Sequence, residues 1–112
     1  MLAIFQFCTY NICMTGLSFT WDPEKDRLNQ EKHNGISFQE AETVFYDEKA
    51  RLIFDPIHSN EEDRFIILGF SHKLRLLVVC HCYRENELNI RIISARKANS
   101  KEEKYYERHG NA

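Results

Sequence analysis

Three apolar blocks in the second half of the chain, RFIILGFS (64–71), LRLLVVCHCY (74–83) and LNIRIISA (88–95), are separated only by the polar words HK and RENE. Extended blocks joined by such short turns predict an antiparallel meander. The middle block is apolar on both faces through its centre, which places it inside the sheet. RLIF (51–54) predicts one further short strand, ended by Asp55-Pro56 and followed by the acidic, polar connection IHSNEED (57–63).

Ahead of these strands the period is helical. FTW (19–21) alternates and reads as a short strand. Asp22 can then cap free amides, and Pro23 suits a first helical position. DPEKDRLNQEKHNG has only Leu28 as a strong apolar residue, which predicts a surface helix closed near Gly35 by a left-handed cap. Ser37-Phe38-Gln39-Glu40 spells a capping box in which Ser37 and Glu40 satisfy each other's amides. Phe38, Ala41, Val44 and Phe45 follow on one helical face, and that helix is expected to reach about Tyr46. Near the C-terminus Ser100-Lys101-Glu102-Glu103 predicts a second capping box, and KEEKYYERH a helix ended by Gly110, with Lys104 and Arg108 on one face. The order β-α-α-β-β-β-β-α describes an α+β domain built on an antiparallel meander. Which strands the 19–21 and 51–54 segments pair with is left open.

A length of 112 residues with 43% hydrophobic content fits one domain around one core. No apolar run approaches the roughly 20 residues needed to cross a bilayer. The first nineteen residues are apolar but lack Lys and Arg, so no export signal is read. Met14 stands just before the first structural signal. Residues 1–18 are therefore expected to be an N-terminal extension, with 1–13 upstream of the natural start, and 19–112 the domain; a first strand or a disordered tail are the alternatives for 1–13. Cys8 and Cys13 fall in this leader, whereas Cys80 and Cys82 flank His81 and project from one strand face. Buried thiols of a reduced cytoplasmic protein are expected there. A metal site would need C-x-x-C or further ligands at turns, so no metal and no other cofactor is expected.

Net charge is −2, but residues 1–63 hold 5 Lys/Arg against 12 Asp/Glu, and residues 64–112 hold 10 against 5. The C-terminal half can present a basic face to an anion or an acidic partner, or simply be differently solvated. Phosphate-cradling loops, dinucleotide fingerprints, H-E-x-x-H and G-x-S-x-G are all absent from the sequence. What remains is a scatter of cations and histidines near element ends: Lys32, His33, His58, Arg64, Arg75, His81, Arg84, Arg91, Arg96 and Lys97. Metal-free phosphodiester cleavage needs a base for the 2′-hydroxyl, a cation for the phosphorane charge and a donor for the leaving oxygen, and these side chains can supply all three. Each also has a plainer reading. Lys32-His33 complements the C-terminal dipole of the first helix. His58 is solvated among acids, and Arg64 pairs with Glu61 or Asp63. His81, on the face of Leu77 and Val79, is a core histidine with a satisfied ring. Arg91 is either buried and paired or lines a concave site, and Tyr105 and Tyr106 pack.

Three long words, FTWDPEKDRLNQEKHNGISFQEAETVFYD, HSNEEDRFIILGFS and RLLVVCHCYRENELNIRIISARKANSKEEKYYE, closely resemble the BrnT toxin family. The specific parts are W-D-x-x-K with N-x-x-K-H, H-S-x-x-E-x-R, and R-I-I-S-A-R-K-A before E-x-x-Y. This resemblance, from about Phe19 to Glu107, implies a RelE-like fold with two N-terminal helices, a meander sheet and a C-terminal helix. It implies a translation-inhibiting endoribonuclease toxin working without metal. A BrnA-type antitoxin would neutralise it, as a heterotetramer that meets operator DNA only through the antitoxin. By motif, Lys25, Asn29, Lys32 and His33 belong to the first word, His58, Glu62 and Arg64 to the second, and Arg91, Ser94, Arg96 and Lys97 to the third. Asn34 lengthens the family's K-H-G turn by one residue, which affects the orientation of His33. The expected catalytic set is Arg64 and Arg91 on the phosphate with His33 or His58 moving protons; Lys25, Lys32, Arg96 and Lys97 hold RNA. All are expected to converge on one pocket. The rival reading is a non-catalytic protein whose basic half docks an acidic antitoxin, and a third is a metal module on Cys80, His81 and Cys82.

Overall fold

A computed structural model of the protein describes residues 16–55, 64–84 and 88–110. The leader with Cys8 and Cys13, and His58 with Glu62, lie outside the described residues. The elements are β1 (Ser18–Thr20), α1 (Pro23–Lys32), α2 (Phe38–Thr43) continued by a 3-10 turn (Val44–Tyr46), β2 (Arg51–Asp55), β3 (Arg64–Phe70), β4 (Leu76–Tyr83), β5 (Asn89–Lys97) and α3 (Ser100–Gly110). This is the order that the hydrophobic pattern predicts.

The strands form one sheet in the order β1-β5-β4-β3-β2. From β2 to β5 the pairing is antiparallel, with β4 central; β1 joins the outer edge of β5 in parallel, Phe19 opposite Ile90 and Thr20 opposite Arg91. The two pairings left open by the sequence are thus the two edges of the sheet.

The helix ends follow local chemistry. The Asp22 carboxylate accepts from the Glu24 amide at 2.9 Å. Asn34 and Gly35 both adopt left-handed backbone, φ 55° and 74°, which absorbs the additional turn residue. Two expected capping boxes are corrected. Ser37 accepts from the Glu40 amide, but the Glu40 carboxylate is buried against Ser71 and Arg75 instead of reaching back. At α3 the box is one residue earlier: Asn99 Oδ1 accepts from the Glu102 amide and Glu102 Oε1 from the Asn99 amide. Asn is as good an N-cap as Ser, and Glu102, which closes this box, is also held by Arg96.

The sheet has two unlike faces. Against one pack the α1–α2 connection, α2 and the turn after it, burying Ile36, Phe38, Ala41, Val44 and Phe45 on Ile67, Leu77, Val79, Ile90, Ile92 and Ala95. Gly69 is required here, because a Cβ would stand 3.0 Å from both Ala50 Cβ and Asp47 Oδ2. On the other face α3 sets Tyr106 against Leu68 and Val78, with Ile66, Leu76 and Ala98 around them. This helix covers only one end of that face.

Candidate functional site

The side-chain alternation of a strand assigns each cation to a face. Ile90 and Ile92 belong to the helix-side core, so Arg91 between them points to the opposite face. Arg91 pairs with Cys82 across β4, and continuing the β3–β4 register by one residue sets Arg64 beside Cys82 as well. A single cross-strand row thus runs Thr20, Arg91, Cys82, Arg64, with the two arginines roughly 10 Å apart by strand spacing.

The neighbouring row is Ser94, Cys80, Ile66 and Ile53. Ser94 joins it because β5 slips by one residue against Cys80 and His81, a bulge that turns its exposed side chain onto the arginine face. The next row, Arg96, Val78, Leu68 and Arg51, lies where α3 packs. The open part of the face is therefore a trough. Its wall is α3, its floor is Ile53 (41% exposed), Ile66 and Cys80, and its far row holds Arg64 and Arg91.

Charge pairing separates these arginines from the others. Arg27 is held by Glu24 and Glu31, Arg75 by Glu40, and Arg96 by Glu102. None of the described ion pairs involves Arg64 or Arg91, Asp55 stands opposite Arg64 in the β2–β3 register, and Arg64 Nε is buried without a hydrogen-bond partner among the described residues. An arginine already occupied by a carboxylate is a poor receptor for a phosphate, whereas an unpaired one on an open face is a ready donor fork.

Several other expected site residues lie elsewhere. Lys32 ends α1 and His33 is its C-cap, donating its amide to Asn29 O. Lys25 is exposed in the first turn of α1. The described contacts do not bring these residues to Arg64 and Arg91, because α1 is fastened through Asn29 to the outer edge of β5 at Ala95, four residues along the strand from Arg91. Asn29 is a structural clamp, its Nδ2 donating to Ile36 O and Ala95 O and its Oδ1 accepting from Ala95 N, at 2.9, 2.9 and 3.1 Å. Arg96 is on the trough face, but both its Nη atoms donate to Glu102, at 2.8 and 2.9 Å. That pairing holds the Glu102 carboxyl below the ordinary range and raises the Arg96 guanidinium. Lys97 is exposed and lines a groove of about 460 Å³ with Phe70, Leu74, Leu76 and Tyr106, beyond the α3 wall from the arginines.

His81 is fully buried on the helix side. Its Nδ1 donates to Val79 O at 3.2 Å, its Nε2 lies 3.3 Å from the Tyr83 hydroxyl, and burial pushes its pKa down to about 4. It faces away from Cys80 and Cys82, which lie on the trough side outside any disulfide, Cys82 buried and Cys80 half-buried. The three cannot chelate one ion. No group of three or more His, Cys, Asp or Glu able to hold a metal occurs among the described residues. No described helix is long and apolar enough to cross a membrane.

An arginine trough on a walled sheet is a surface suited to a nucleic-acid backbone, and sequence comparison places the chain among the ribonuclease toxins of toxin–antitoxin systems. The family model described as "Ribonuclease toxin, BrnT, of type II toxin-antitoxin system" matches residues 21–102, and the chain belongs to that family. Among solved structures, the 1.1 Å crystal structure of the Brucella abortus ribonuclease toxin BrnT is similar in fold. It aligns with a TM-score of 0.55 at 21% identity, covering 75% of this chain and 99% of that one. No curated protein matches the chain.

Proposed function

We propose that this chain is a RelE-like, metal-independent endoribonuclease toxin that cuts RNA on the trough face. The observation that carries the reading is the pair of arginines outside the described ion pairs, Arg64 and Arg91, flanking Cys82 in one row. Their guanidinium groups hold the scissile phosphate and stabilise the charge that develops as the 2′-hydroxyl attacks, leaving a cyclic phosphate. His33 caps α1, which is fastened to Ala95, four residues along β5 from Arg91; His72 hydrogen-bonds Thr43 beside α2, and His81 is buried under Phe45. Proton transfer is accordingly assigned to His58, six residues ahead of Arg64 in the chain. The toxin acts in the cytoplasm, and a BrnA-type antitoxin neutralises it in a heterotetramer that reaches operator DNA through the antitoxin.

Purified protein is expected to degrade RNA in EDTA, with Arg64→Ala and Arg91→Ala each lowering the rate roughly 100- to 1,000-fold at unchanged circular dichroism. His58→Gln should lower kcat by about 100-fold or more. Intact RNA after incubation with the folded wild type overturns the reading and favours a protein that only binds its antitoxin.

A further inference from the structure

We propose that the trough takes several consecutive nucleotides of single-stranded RNA and that Arg51 is the distal anchor of that strand. This rests on the reading of the Arg64–Arg91 face as the RNA site and extends it to substrate class. Arg51 opens β2 opposite Leu68, on the same face as Arg64 and Ile53. Among the described residues two buried side-chain nitrogens lack a hydrogen-bond partner, Arg51 Nε and Arg64 Nε, and both belong to this face. A buried donor left unpaired is uncommon in native proteins, and here both arginines are half-buried and outside the described ion pairs, so the outer ends of two guanidinium groups on one face are available to an anion.

No described carboxylate relieves Arg51. Asp47, beside Tyr106, is committed to other donors: its Oδ2 accepts from the Tyr106 hydroxyl at 2.7 Å and the Phe70 amide at 2.8 Å, and its Oδ1 from the Lys49 amide at 3.0 Å. Strand geometry puts Arg51 on the order of 14 Å from Arg64, and Arg64 roughly 10 Å from Arg91. One phosphate takes both Arg64 and Arg91, whose side chains can reach toward each other across the shorter gap, whereas the longer step to Arg51 calls for a further phosphate of the same strand. Between the cations the floor is apolar, Ile53, Ile66 and the Cys80 thiol, and accepts the flat faces of unpaired bases without hydrogen-bond readout. A base-paired stem would offer its phosphates but keep those base faces stacked.

The test compares wild type, Arg51→Ala and Arg51→Lys on a dinucleotide and on an unstructured single-stranded RNA of about ten nucleotides across a salt series. The loss in Arg51→Ala is expected to be confined to the longer strand: KM about tenfold higher, kcat little changed, and the slope of log KM against log salt smaller by about 0.7. Arg51→Lys should recover most of the loss. Equal losses on both substrates, or none on either, overturn the proposal. Binding of a non-cleavable 2′-deoxy version of the longer strand separates the two readings. Arg51-dependent binding without cleavage keeps the anchor and removes the nuclease assignment; cleavage that ignores Arg51 does the reverse.

Discussion

At the scale of single residues, the sequence words of the family mix parts that fold the chain with parts that face the substrate. Asn29 and His33 stand four residues apart in one motif, yet Asn29 makes three buried hydrogen bonds joining α1 to β5 and to the turn before α2. Asn29→Ala would leave the Ala95 amide and two carbonyls unsatisfied, so unfolding free energy should fall by about 2–3 kcal/mol in urea titration. Cleavage per folded molecule should stay at the wild-type level. His81 supplies a pH signature. Its folded pKa of about 4 lies below its ordinary 6.5, so the unfolded chain binds the proton more readily. The neutral ring's contribution is therefore complete above pH about 6.5 and is lost as pH falls toward 4, a range worth on the order of 3 kcal/mol. Melting temperature measured from pH 7 to 4 should fall accordingly, and His81→Leu should flatten that part of the curve.

At the scale of elements, caps and turns were legible because their chemistry is local. Asp22-Pro23, Asn34-Gly35 and the apolar stripe of α2 are found where the sequence puts them. What stayed hidden is the partner 35 residues away. Arg75 reads as one more cation in the sequence, but it donates to the buried Glu40 carboxylate and to Asn34 O, locking the β3–β4 turn onto α2 and the α1–α2 junction. Burial alone would raise the Glu40 carboxyl; the hydrogen bonds from Arg75 and Ser71 outweigh it and hold it low. Arg75→Met should cost about 3 kcal/mol by stranding that charge, and adding Glu40→Gln should recover much of the loss in a double-mutant cycle. The bulge that turns Ser94 onto the trough is another non-local fact, since the slip exists only relative to β4. Arg51 was missed for a related reason: at the start of RLIF it reads as a strand opener, and only the register shows that it shares a face with Arg64.

At the scale of the molecule, the cations are separated by their place on the sheet. Lys25, Lys32 and His33 go with α1 at the outer edge of β5, and Arg64 and Arg91 share a row on the face opposite the helix-side core. The separation along the sheet is also large: Asn29 clamps α1 to Ala95, four residues beyond Arg91 in β5, or roughly 13 Å of strand. The phosphate site proposed at Arg91 thus stands well along β5 from the point where α1 is fastened. The positive charge at the end of α1 has a sufficient cause in the helix dipole. The double substitution Lys32→Ala/His33→Gln should therefore leave the initial rate of RNA cleavage within about twofold of wild type, well below the cost of removing one phosphate-holding donor, while melting temperature falls by a few degrees at most. A loss comparable with that of Arg64→Ala, in a protein of wild-type stability, would place the reacting phosphate at the helix junction and leave the trough as a surface for another partner.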